Sequence, residues 1–72
     1  LIMRVRVMYR KKGTQNWEAT SVNIHPQGFI DCENTEKYIR DRIFILGVDT
    51  NNLDIEFNYT KEDAKKAISN NN

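Results

Sequence analysis

The sequence predicts a small α+β domain: a mostly antiparallel sheet of three or four strands, in the order β-β-(β)-α-β-α, with helices packed on one face. Two stretches of alternation carry the prediction, Met3 to Arg10 and Leu53 to Tyr59, each apolar or aromatic at every second position. Between them Ile39, Ile43 and Leu46 stand at i, i+4 and i+7, the spacing of an apolar helix stripe facing a sheet. Seventy-two residues hold one domain at most. Residues 1–68 are assigned to it, and residues 69–72, Ser69 to Asn72, form a polar tail with nothing apolar to bury, which is expected to fray.

Taken in order, Met3, Val5, Val7 and Tyr9 alternate with Arg4, Arg6, Met8 and Arg10, the pattern of a strand buried on one side and wet on the other. Lys11 to Asn16 carries a glycine among small polar residues and reads as a hairpin loop. Trp17 to Ile24 is rich in strand formers but mixes its phases, which a bulge or burial of both faces explains. His25-Pro26-Gln27-Gly28 suits a turn, and Phe29-Ile30-Asp31 is expected to add a short third strand.

Asn34 or Thr35 caps a helix running to about Leu46, with Gly47 placed to end it in the left-handed conformation. Asp49 to Asn52 is a polar connector. Leu53, Ile55, Phe57 and Tyr59 then alternate with Asp54, Glu56 and Asn58 as a second half-buried strand. Thr60-Lys61-Glu62-Asp63 resembles a capping box with aspartate in the usual glutamate place, opening a short helix with Ala64, Ala67 and Ile68 inward.

Charge is unevenly placed. Five of the eleven basic residues, Arg4, Arg6, Arg10, Lys11 and Lys12, fall in the first twelve positions, which hold no acid; the other sixty positions hold six basic and ten acidic residues. A basic patch of this kind attracts phosphate even when net charge is only +1. Arg4, Arg6 and Arg10 on the wet face, Lys11 and Lys12 in the loop and Trp17 beyond it thus form a candidate nucleic-acid platform, with Trp17 stacking on a base. The same pattern has a structural explanation: Asp54 and Glu56 face the same side and answer the arginines if the two alternating strands are neighbours.

Phe44 is the second candidate. On a helix through Leu46 it sits opposite Ile39 and Leu46, with Lys37, Arg40 and Asp41, so Lys37, Arg40 and Phe44 outline a protein-interaction face. Cover by the second helix or the tail, or near-complete burial of Ile43 to Leu46, accounts for Phe44 at least as well.

Enzyme chemistry finds no support in the residues. His25 and Cys32 are the only histidine and cysteine, short of the four close-spaced ligands of a structural zinc. Cys32 lies between Asp31 and Glu33, the wrong charge for a thiolate nucleophile. The acidic pairs suit helix starts and wet strand faces, and Gly13, Gly28 and Gly47 stand alone rather than in a phosphate-binding loop. No catalytic residue, metal or cofactor is expected, nor a membrane segment or an opening signal segment. One cysteine cannot make an internal disulfide, which points to a reducing, cytoplasmic setting.

Tyr9-Arg10-Lys11-Lys12-Gly13 followed by Trp17, then Gly28-Phe29 and a helix through Tyr38-Ile39, resembles the three-strand-plus-helix N-terminal domain of some phage and transposon integrases. That resemblance covers about the first half of the chain and implies DNA binding through the sheet. The chain departs from it by continuing into a further strand and helix. The expected function is therefore a non-enzymatic binding module, with DNA or RNA as partner through the basic hairpin. The alternative is a protein-interaction or homodimer-forming module that uses the Phe44 helix face or an edge strand.

Overall fold

Val5 and Val7 have nowhere to go but inward, and the strand that carries them becomes the centre of the sheet. The computed structural model describes residues 1–71. Strand β1 (Met3–Lys11) pairs antiparallel with β2 (Glu18–Ile24) from Met3 opposite Ile24 to Tyr9 opposite Glu18. On its other side β1 pairs antiparallel with β3 (Leu53–Glu56), but only from Met8 opposite Glu56 to Lys11 opposite Leu53. The strand order is β2-β1-β3. Gly13 closes the hairpin at φ +85°, a conformation that side chains with a Cβ rarely adopt.

Among the described residues three helices cover the inner face, α1 (Pro26–Asp31), α2 (Thr35–Arg42) and α3 (Lys61–Asn70), with a 3₁₀ turn at Thr50–Asn52 before β3. Val5, Val7, Val22 and Ile24 from the sheet meet Phe29, Ile39, Ile43, Leu53 and Ala64 in one core. None of these helices is long and apolar enough to cross a membrane.

The expected third strand at Phe29-Ile30-Asp31 is instead the end of α1. Pro26 occupies the first turn, where its missing N–H costs nothing, and the amide of Phe29 bonds the His25 carbonyl at 3.0 Å. Pro26 and Phe29 are then one turn apart and both buried. Phe29 is wedged edge-on between Tyr38 and Tyr59, at ring distances of 5.6 and 5.2 Å. The Tyr38 hydroxyl donates to the His25 carbonyl at 3.2 Å and accepts from the His25 amide at 3.1 Å, which fixes the start of α1. Gly28 leaves room for that phenol, since a Cβ there would lie 3.2 Å from the Tyr38 oxygen. The turn expected at His25 to Gly28 is thus the first part of this helix, with Pro26 at its start and Phe29 buried one turn on.

Asn34 caps α2 as expected, its side chain accepting from the Lys37 amide at 3.0 Å. The helix stops at Arg42, four residues short of Leu46. Ile43-Phe44-Ile45 is a β-branched and aromatic run, poor helix material, and the chain leaves the helix extended from Ile43. Its period becomes two: Ile43 is buried, Ile45 is half-buried, and Phe44 and Leu46 point out at 83% and 87% exposure. Leu46 is thus absent from the buried stripe. Gly47, at φ +76°, reverses the chain after this extended run rather than capping the helix.

Strand β3 also ends early, at Glu56, although the alternation continues through Tyr59. Tyr59 packs on Phe29, and the chain must leave the sheet to begin α3 at Lys61. The capping box of α3 forms with Thr60 and Asp63: the Asp63 amide bonds the Thr60 hydroxyl at 3.1 Å and the Thr60 amide bonds the Asp63 carboxylate at 2.9 Å. The helix runs through Asn70, two residues into the segment expected to fray, while Asn72 lies outside the described residues.

The Thr60 bonds hold the Asp63 carboxyl below the ordinary aspartate range, the backbone amide contributing most. A depressed carboxylate supplies stability that is present above its unfolded value and disappears as pH falls through the folded one. Acid unfolding of the parent is therefore expected to be steeper below about pH 4 than that of Asp63→Asn, which lacks this titration. Parallel melting curves at pH 7 and pH 3 measure it; equal acid sensitivity of the two proteins would refute the role.

Candidate binding face and edge

The outer face of the sheet is built in rows by the strand register. Continuing the β1 and β2 pairing by one residue sets Trp17 beside Arg10, and β3 sets Asp54 on the other side. The Arg10 guanidinium lies 4.5 Å from the Trp17 ring centroid, and its Nε donates to Asp54 at 3.0 Å. Arg10 is therefore engaged from both sides, and half-buried Trp17 covers it. The next row is Ala19, Met8 and Glu56. Beyond it Arg6 stands opposite Ser21 and Arg4 opposite Asn23, both exposed and with no ion pair among the described residues.

The six residues expected to form one platform are thus divided. Arg4, Arg6, Arg10 and Trp17 share the outer face. Lys11 is the last residue of β1, in the phase of Tyr9, and lines a separate cleft with Glu18, Ile45 and Val48 on the helix side. Lys12 sits in the turn, its amide bonded to the Asn52 carbonyl at 3.0 Å. The expectation that Asp54 and Glu56 both answer arginines holds for Asp54 alone, because Glu56 is opposite Met8.

The helix face drawn through Lys37, Arg40 and Phe44 does not exist as such, because Phe44 lies beyond the end of α2. Lys37 pairs with Asp41 at 3.1 Å on the surface. Arg40 is a clamp: one guanidinium nitrogen donates to the carbonyls of Thr50 at 2.6 Å and Leu53 at 2.8 Å, and the other meets Glu36 at 3.1 Å. It ties α2 to the start of β3. The exposed companion of Phe44 is Leu46.

The edge strand expected as an alternative interaction surface takes a form that alternation does not reveal: the free half of β1. The Lys12 amide bonds the Asn52 carbonyl, so Lys12 and Asn52 form a hydrogen-bonded pair in the register that sets Arg10 opposite Asp54 and Met8 opposite Glu56. Antiparallel ladders alternate, so the even-numbered residues of β1 turn their N–H and C=O toward β3. Arg6 and Arg4 are the next two, and their partners in a longer β3 would be Asn58 and Thr60. No backbone hydrogen bond joins them to that segment among the described residues. Between this edge and the departing chain lies a cleft of about 450 Å³ lined by Arg4, Arg6, Glu56, Phe57, Tyr59 and Asp63. The long alternation through Tyr59 concealed it, since a strand of that length would have covered the edge.

Tyr59 closes the inner wall with its hydroxyl buried and without a partner among the described residues. Burial first, and the Asp63 charge second, push this phenol up. A buried unpartnered hydroxyl costs about 1–3 kcal/mol, so Tyr59→Phe is expected to leave stability unchanged or raise it by about 1 kcal/mol. Urea denaturation decides it, and a loss above about 1 kcal/mol would show that the hydroxyl has a partner.

Cys32 is half-buried, its thiol donating to the Phe29 carbonyl at 3.0 Å, and among the described residues no three His, Cys, Asp or Glu side chains are grouped as metal ligands. The integrase-like arrangement implied three strands before a helix; here two strands precede the helices and the third follows α2. No family model matches the chain, and comparison with curated proteins and with solved structures finds no match.

Proposed function

We propose that the chain is a non-enzymatic binding module that takes an extended segment of a partner protein onto the free half of β1. One observation carries this reading: β3 covers β1 only from Met8 to Lys11, so the amides and carbonyls of Arg4 and Arg6 face an open cleft. Unpaired strand edges are templates for another strand, and the backbone supplies affinity while alternate side chains supply selectivity. A single cysteine is compatible with a reducing, cytoplasmic setting.

Selection of random decapeptides on the immobilised domain, followed by amide exchange on the complexes, tests the proposal. Slowed exchange of the Arg4 and Arg6 amides, with the β2-facing amides of Val5 and Val7 unchanged, is the expected outcome. Selected peptides that bind only near Phe44 and Leu46 would overturn it.

A second reading, nucleic-acid binding on the outer face, is favoured by Arg4 and Arg6, which have neutral partners in Asn23 and Ser21. It requires salt-sensitive binding to single- or double-stranded DNA or RNA. Loss of that binding in the Arg4→Ala, Arg6→Ala double variant, but not in Lys11→Ala, would establish it in place of the peptide reading.

A further inference from the structure

We infer that the segment accepted by this edge is acidic at alternate positions, an acidic–apolar–acidic strand lying antiparallel to β1; the inference rests on the strand-addition reading above. The domain already contains one solution to the same problem. At Arg10, in a hydrogen-bonded pair on this side of β1, the residue directly opposite is Asp54, and the two side chains meet at 3.0 Å. Arg6 and Arg4 have the same phase, the same face and the same side of the ladder. Their own-chain counterparts, Asn58 and Thr60, are uncharged and have left the sheet. A strand seated there would place two residues, two positions apart, directly opposite two arginines that lack ion pairs among the described residues.

The residue between them, opposite Val5, points to the inner side, where Phe57 and Tyr59 line the cleft together with Asp63. An apolar side chain fits against the two aromatic residues, and a third acid would meet the Asp63 carboxylate. The pattern is thus specific in both phases.

Charge also argues against the β1 edge of a second copy as the occupant. Antiparallel pairing of two β1 edges across a two-fold axis sets Arg4 opposite Arg6, or Arg4 or Arg6 opposite its own copy, whichever of the three central registers is chosen. Like charges directly opposite are destabilising.

Acetylated, amidated heptapeptides with the core Glu-Val-Glu, Gln-Val-Gln or Lys-Val-Lys test the inference by nuclear magnetic resonance titration of the whole chain. Two further Glu-Val-Glu peptides carry an N-methyl group either on both glutamates, whose amides would face β1, or on the valine, whose amide would face away. The expected result is binding of Glu-Val-Glu with protection of the Arg4 and Arg6 amides, and binding roughly tenfold weaker for Gln-Val-Gln, from the loss of two cross-strand charge pairs. The glutamate-methylated peptide should fail and the valine-methylated one should bind. In the Arg4→Glu, Arg6→Glu variant the preference should pass to Lys-Val-Lys, and a variant that fails to fold is replaced by the parent at raised salt, where the charge preference should shrink.

Equal binding of the Gln and Glu peptides at this edge would overturn the acidic partner and leave strand addition standing. Binding indifferent to N-methylation of the glutamates, or no protection by any peptide at millimolar concentration, would overturn both. Single-stranded oligonucleotide binding on Arg4 and Arg6 in that case would transfer the function to the outer face.

Discussion

Phe29→Ala is expected to remove most of the stability of the domain. A chain of this length holds about 4–11 kcal/mol in total, and deleting a fully buried phenylalanine typically costs about 3–5 kcal/mol. Phe29 is 0% exposed, contacts Tyr38 and Tyr59 edge-on, and sits on a helix of only six residues, too short to persist without its tertiary contacts. Losing the ring removes the contacts of α1 with Tyr38 on α2 and frees Tyr59, which forms the inner wall of the cleft. Urea denaturation followed by circular dichroism measures the loss. Phe44→Ala is the matching control: at 83% exposure it should change stability by less than about 0.5 kcal/mol. Similar losses for the two variants would show that the aromatic cluster does not hold the helices together.

Arg40→Ala has the second largest expected effect. Its guanidinium donates to the carbonyls of Thr50 and Leu53 and to the Glu36 carboxylate, and its side chain is 19% exposed. Charge-assisted bonds of this kind contribute about 1.5–3 kcal/mol together where the site is partly shielded, so a loss of about 2 kcal/mol is expected. Arg40→Lys should recover only part of it, because an ammonium lacks the planar fork that reaches both carbonyls and the acid at once. Lys37→Ala, which breaks an exposed pair with Asp41, should cost well under 1 kcal/mol. An Arg40→Ala protein with unchanged denaturation midpoint would return Arg40 to the surface face on which sequence reasoning put it.

That misplacement shows where legibility stops. A helical wheel extended to Leu46 places Lys37 and Ile39 correctly, one exposed and the other buried. Its error was length: once the chain becomes extended at Ile43, Phe44 leaves the wheel, Leu46 turns outward and Arg40 reaches across to Thr50. The candidate site has the same history. Alternation alone puts Arg4 and Arg6 on the wet face, and they are exposed. That Arg10 would be consumed by Trp17 and Asp54 while the other two kept neutral neighbours depended on which residues lie opposite, which is a matter of register. The open edge depended on where β3 ends.

Periodicity and capping are written locally, because they follow from side chains a few residues apart: the alternation of Met3 to Arg10, the Asn34 cap, and the Thr60–Asp63 box all stand as the residues imply. Where β3 and α2 stop, what Phe29 becomes, and which arginines find acids are settled between segments distant in the chain. A strand ends when pairing its next residues is worth less than packing them elsewhere. For Tyr59 the competing surface is Phe29, thirty positions away in the sequence, and no local pattern encodes that comparison.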